Sequence, residues 1–196
     1  MREEVTALLE NRNELLTITY FKIQELFDKK YGENALVLME IGTFFEVYEV
    51  NNEKEKIGKA KEIAELLNIQ LTRKNKSILE NSKENPIMAG VPAISFEKHL
   101  ARIIAEQKYT IAIIRQKGTP PNVSRYLDVV VSPGTNFDFV VEQDDNFITS
   151  IVIDQIRGNY LIGYSAIDVT TAKCYYNEVF GTNEDKFFAL DEVFNY

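Results

Sequence analysis

Apolar residues recur at helical spacing in several stretches of the chain. Residues 2–16 carry Val5, Leu8, Leu9, Leu15 and Leu16, and residues 18–30 continue with Phe21, Ile23, Leu26 and Phe27 before Gly32, a helix stop. Residues 57–67 set Ile57, Ala60, Ile63, Ala64 and Leu67 on one face, with Lys59, Lys61, Glu62 and Glu65 around the rest. Behind Ser95, placed to cap a helix, Phe96, Leu100, Ile103, Ile104 and Gln107 share a face with His99 beside it. Between these lie extended runs: two strands joined at or near Gly42, a short one at 69–72, a crossing at 86–92, and strands at 109–115 and 127–132. Residues 73–85 are polar without a period and predict a mobile loop, and Gly118-Thr-Pro-Pro-Asn separates the last two strands. Strands alternating with crossing helices predict an α/β domain on a mixed sheet. After Gly134 the pattern changes: 147–157, 160–169 and 172–180 predict an antiparallel meander with turns at Gly158-Asn159 and near Thr170-Thr171. A helix is expected to begin over 183–196 through Phe187, Phe188, Leu190 and Val193.

The most informative residues are Gly42-Thr43-Phe44-Phe45-Glu46. On a strand Phe44, Glu46 and Tyr48 share one face, and Phe45 and Val47 the other, with Phe44 and Glu46 about 7 Å apart. An apolar wedge beside a carboxylate suits insertion into a base stack while a base edge is held by a hydrogen bond. The competing reading is an amphipathic strand with one buried aromatic row.

Gly-x-Phe-(Tyr/Phe)-Glu on a strand resembles the mismatch-reading motif of the MutS family of DNA mismatch repair proteins. Further similarities follow in the family's order. Residues 17–32 are similar to the helix leading into the motif. Downstream come Glu62-Ile-Ala-Glu-Leu-Leu-Asn-Ile-Gln-Leu-Thr-Arg73, Pro86-Ile-Met-Ala-Gly-Val-Pro92, Val129-Val-Val-Ser-Pro-Gly-Thr135 and Gly163-Tyr-Ser-Ala-Ile-Asp-Val-Thr170. Departures are Ala93-Ile94 where the family often has Tyr-His, Phe45 where Tyr is common, Thr43 where an acid is common, and some 16 extra residues at the start. The resemblance implies an N-terminal helical extension (1–16), a mixed-sheet MutS domain I-like recognition domain (17–134), and the first, truncated part of a connector domain with a ribonuclease H-like fold (135–196). It implies recognition of mismatched or distorted double-stranded DNA without catalysis, Phe44 being the wedge and Glu46 its partner. Neither cofactor nor metal is expected in this fragment, ATP and Mg being expected of the full-length protein. That protein would be a homodimer, cytoplasmic and nucleoid-associated, with a MutL-like partner at the connector.

Charge changes this picture in one respect. The net −8 arises entirely from residues 135–196, where three basic residues face eleven acidic ones; the preceding residues balance at nineteen of each. A neutral first part can still present a basic face to phosphate, whereas the last part is repelled by it. Arg73, Lys74 and Lys76 are the candidates for holding the DNA backbone, with Arg115 and Lys117 as weaker ones. Glu46 fits a DNA-facing surface only if it accepts a hydrogen bond from a displaced base or is itself protonated. The alternatives are a MutS-like reader of branched DNA or recombination intermediates, and a ribonuclease H-like metal nuclease using Asp154 and Asp168. Asp168 has the competing role of closing a turn through Thr170 or Thr171. A third alternative is a protein-interaction module built on the acidic part. One cysteine, Cys174, excludes an internal disulfide, and with His99 alone it cannot form a common zinc site. No apolar run is long enough to cross a bilayer, and no Gly-x-x-x-x-Gly-Lys-(Ser/Thr) loop for nucleotide phosphates occurs.

Overall fold

A tight reversal at Gly42-Thr43 sets the architecture. It joins β1 (Ala35–Ile41) to β2 (Phe44–Asn51) as an antiparallel hairpin in which Ile41 pairs with Phe44 and Met39 with Glu46. Gly42 has φ +62°, a conformation that glycine adopts without a Cβ penalty. The computed structural model describes residues 1–133, 147–169 and 171–181. It divides into two compact units, Met1–Pro133 and Gly134–Tyr196.

In the first unit the strand order is β4-β5-β2-β1-β6-β7, with β3 also on β2. Here β3 is Lys56–Gly58, β4 Thr72–Arg73, β5 Ile87–Pro92, β6 Thr110–Lys117 and β7 Ser124–Val131. β1 and β6 run parallel and the other pairs antiparallel, so the sheet is mixed, as the sequence predicts. Ala35 to Met39 and Ile111 to Ile114 are buried throughout, the mark of central strands covered on both faces. One face carries α1 (Arg2–Glu10) and α2 (Leu16–Tyr31): Val5, Tyr20, Phe21, Ile23 and Phe27 pack on Val37, Met39, Tyr48 and Ile114. On the other, α3 (Ala60–Leu67) and α4 (Phe96–Ala105) bring Ile63, Leu67, Phe96 and Leu100 over Leu38, Phe45 and Val47.

Several expectations shift. The first helix stops at Glu10, where the Asn11 side chain accepts from the Asn13 N–H at 3.3 Å and turns the chain. Val5 lies wholly buried in the shared core, so α1 packs as part of the first unit. Ile57 does not join a helix: it pairs with Val50 in β3, and α3 begins at Ala60, where Glu49 accepts the Lys61 N–H at 2.8 Å. Ser95 makes no side-chain cap; its hydroxyl donates to the Pro92 carbonyl at 3.2 Å. The short strand expected over 69–72 reduces to β4, Thr72–Arg73.

The second unit is a meander of β8 (Phe147–Ile156), β9 (Asn159–Asp168) and β10 (Cys174–Gly181), in the order β10-β9-β8. Its hairpin turns on Arg157-Gly158, both at positive φ, one residue earlier than predicted. Ile162, Tyr164 and Val179 form a small core, while every residue of β8 is exposed. The helix expected over 183–196 lies outside the described residues, as does Thr170.

Candidate nucleic-acid interface

Gly42, Thr43 and Phe44 are exposed in succession, and Phe44 keeps 44% of its surface accessible. Four hydrogen bonds hold the reversal that presents them. The Gln116 side-chain amide closes on the Gly42 peptide, accepting from its N–H at 3.0 Å and donating to its carbonyl at 2.6 Å. The Ala93 N–H donates to the Thr43 carbonyl at 2.8 Å, and Arg125 Nε to the Glu40 carbonyl at 3.1 Å. Phe45 points the other way, wholly buried, and stacks on Phe96 with centroids 3.6 Å apart. The alternation read from sequence therefore separates a core phenylalanine from an exposed one.

Glu46 follows Phe44 on the same face, with 13% of its side chain accessible. The Tyr48 hydroxyl donates to its Oε2, and Lys74 Nζ lies 3.7 Å from the same oxygen. Lys74 also donates to Tyr48 Oη at 3.2 Å. Opposite Glu46 in the ladder stands Gly90, where a Cβ would come within 3.2 Å of the Phe45 carbonyl and 3.4 Å of Glu46 Cγ. The small residue leaves the carboxylate room to lie across β5. Tyr48, Gly90, Gln116 and Arg125 do not emerge from sequence as site residues. Only the alternation of β2 pointed to Tyr48; the others depend on strand register.

The three basic candidates do not act as one cluster. Lys74 is tied to Glu46 and Tyr48, and Arg73 donates to the carbonyls of Leu79 and, at 3.4 Å, Ile78. Arg73 and Lys76 line a shallow open groove with Gln70, Thr72 and Ile87. The loop bearing them is not loose. Asn85, 5% exposed, donates to the carbonyls of Asn75, Ile78 and Glu80 and accepts from the Asn75 N–H at 2.7 Å. Lys83 anchors it further to Glu25 and Glu55 at 2.8 and 3.1 Å. Arg115 is engaged with Asp128 and Glu97 at 2.9 and 3.1 Å and lies over the Phe45 ring. Lys117 is exposed, one residue beyond Gln116 and so at the turn's end of the sheet. His99 is half-buried against the α3–α4 face, where burial, followed by Arg102 and Lys98, holds its pKa below the ordinary value.

The paired-carboxylate reading of the second unit is overturned. Asp154 pairs with Leu161, and Asp168 with Phe147, seven residues away along β8, or about 24 Å at 3.4 Å per residue. Two metal ions in such a site sit about 4 Å apart, so these carboxylates cannot share them. Asp168 instead closes the turn, accepting from the Thr171 hydroxyl, as its alternative role predicted. Among the described residues no group of three or more His, Cys, Asp or Glu side chains is placed to hold a metal. Nor is any described helix long and apolar enough to cross a membrane.

Residues 20–140 match the MutS domain I family. Over 191 residues the chain is 30% identical to a DNA mismatch repair mutS homolog of Acanthamoeba polyphaga mimivirus, covering 94% of this chain and 17% of that protein. It is 27% identical over 164 residues to DNA mismatch repair protein MutS of Halothermothrix orenii, covering 81% of this chain and 16% of that protein. With the protein of the same name from Chlorobium phaeobacteroides it shares 29% over 156 residues, 76% of this chain and 16% of the relative. The chain thus spans 16–17% of the length of these relatives.

Proposed function

We propose that this chain, which belongs to the MutS family, recognises mismatched or distorted duplex DNA by wedging Phe44 into a weakened base step while Glu46 holds the displaced base. The observation that carries this reading is an exposed phenylalanine on a turn held by four hydrogen bonds, next but one to a carboxylate on the same face. Opening a step costs a few kcal/mol of stacking. A mispaired or unpaired base has already lost part of that stability, so the same wedge enters it more cheaply. Selectivity then comes from deformability rather than from a code of base contacts. Approach is from the minor groove, and Arg73, Lys76 and Lys117 hold phosphates without reading sequence.

The relatives are named as DNA mismatch repair proteins. Carried to this chain, that role makes it the recognition part of a longer protein in the cytoplasm, at the nucleoid. The ATPase with its magnesium, a second subunit and further DNA contacts would lie outside these residues. The second unit would begin the connector, of ribonuclease H-like fold, and its acidic surface would meet a MutL-like partner rather than DNA.

The test is fluorescence anisotropy at low salt with duplexes that are matched, mismatched at one pair or carrying one unpaired base, and with a four-way junction. The expected order is mismatched or unpaired above matched, with the preference abolished by Phe44→Ala. Tighter binding to the junction than to any mismatch would establish the branched-DNA reading instead. Products appearing on addition of magnesium or manganese would make the chain a nuclease.

A further inference from the structure

Two side chains, Lys74 and Tyr48, face Glu46. They form a directed series: Lys74 Nζ donates to Tyr48 Oη at 3.2 Å, and the Tyr48 hydroxyl donates to Glu46 Oε2. The ammonium is also 3.7 Å from that oxygen and 5.5 Å above the Tyr48 ring. Tyr48 is wholly buried and packs edge-on to Tyr20 with centroids 4.9 Å apart, so the ring cannot swing away. Burial, reinforced by the Glu46 charge, raises the phenol well above its usual pKa, so the hydroxyl remains a donor. Gly90 borders the arrangement from β5, where a Cβ would come within 3.2 Å of the Phe45 carbonyl.

We propose that Tyr48 and Lys74 are positioning residues for Glu46: they occupy Oε2 and leave Oε1 as the oxygen offered to a nucleobase N–H. The inference rests on the reading of Phe44 and Glu46 as the contact with a weakened step. Its ligand chemistry is a base edge carrying an imino or amino N–H released by mispairing, because a carboxylate loaded with donors on one oxygen accepts on the other. It also gives Lys74 a role other than the phosphate contact predicted from sequence. Opposite charges 3.7 Å apart offset one another, so the reader approaches the backbone as a nearly neutral group rather than as a repelled carboxylate.

The test compares mismatch-to-match affinity ratios, by anisotropy, for the chain and for Phe44→Ala, Glu46→Gln, Tyr48→Phe, Lys74→Ala and the Glu46→Gln/Lys74→Ala double variant. Phe44→Ala checks the underlying reading without involving Tyr48 or Lys74. Tyr48→Phe and Lys74→Ala are each expected to narrow the ratio about threefold to tenfold, the worth of a charge-assisted hydrogen bond discounted for indirect action. In the Glu46→Gln background, Lys74→Ala should change the ratio no further. Thermal melts show whether Tyr48→Phe, which keeps the ring, remains folded; if it does not, the Lys74–Glu46 cycle decides, since Lys74 is a surface residue. Equal weakening of matched and mismatched binding by Lys74→Ala, whatever residue stands at 46, would make it a phosphate contact and overturn the proposal. So would unchanged ratios in Tyr48→Phe and Lys74→Ala where Phe44→Ala has lost its preference, which leaves the reading intact. If Phe44→Ala itself keeps the ratio, the reading fails and this inference falls with it.

Discussion

Phe44 and Phe45 are adjacent in the chain, yet their substitution has opposite consequences. Phe45 is buried and stacked on Phe96, so Phe45→Ala should cost about 3–5 kcal/mol of stability. Phe44 is 44% exposed, and Phe44→Ala should cost under about 1 kcal/mol while removing the preference for weakened steps. Urea denaturation of both variants checks the contrast, and a large loss for Phe44→Ala would mark it as core. Gly90→Ala should strain β2, because its Cβ comes within 3.2 Å of the Phe45 backbone carbonyl while meeting Glu46 Cγ only at ordinary contact distance; urea denaturation measures the cost. The period of β2 made the sharing of a face by Phe44, Glu46 and Tyr48 legible in advance. The partners were not legible: Lys74 follows Tyr48 by 26 residues and reaches it only because β4 pairs with β5, and β5 with β2. Local pattern carries the direction of a side chain, whereas register across three strands carries its neighbours.

Several elements depart from their local pattern because tertiary hydrogen bonding and strand pairing override it. Residues 73–85 look loose because they are polar and aperiodic, yet one buried asparagine replaces the missing strand ladder with four hydrogen bonds to the backbone of Asn75, Ile78 and Glu80. Asn85→Ala should therefore cost about 1–3 kcal/mol by leaving those groups unpaired. Hydrogen exchange should speed at the Asn75 amide, which donates to Asn85, well before it does in β1. Ile57 fits a helical stripe as well as it fits a strand, and pairing with Val50 decides between them. On α4, the lowered pKa of His99 gives a sign to acid behaviour. The unfolded chain takes up this proton near pH 6.5, before the folded one does, so stability falls as pH drops below that value and levels off beneath the folded pKa. His99→Gln should flatten that segment of a stability-against-pH curve.

Across the whole molecule, charge divides as the fold does. The first unit is neutral and the second holds the entire net −8. Deleting residues 134–196 should raise DNA affinity at low salt, and the gain should shrink as added salt screens the acidic charge. A salt titration of both lengths measures this, and a fall in affinity after deletion would place the acidic unit in a supporting role at the DNA. The mixed α/β sheet and the meander were visible in the order of hydrophobic periods. The separation of Asp154 from Asp168 was not, since adjacent strands say nothing of height along the ladder until register is known.

The Gln116 clasp on the Gly42 peptide bears on time as well as energy. If the tip reads base steps as proposed, one already fixed in its presenting form has no shape of its own to find at each of them. Each encounter would then last only as long as the duplex takes to open or to refuse. The breathing of the DNA would be the clock of the search, and loosening the clasp by Gln116→Ala would put a second, slower clock in the protein.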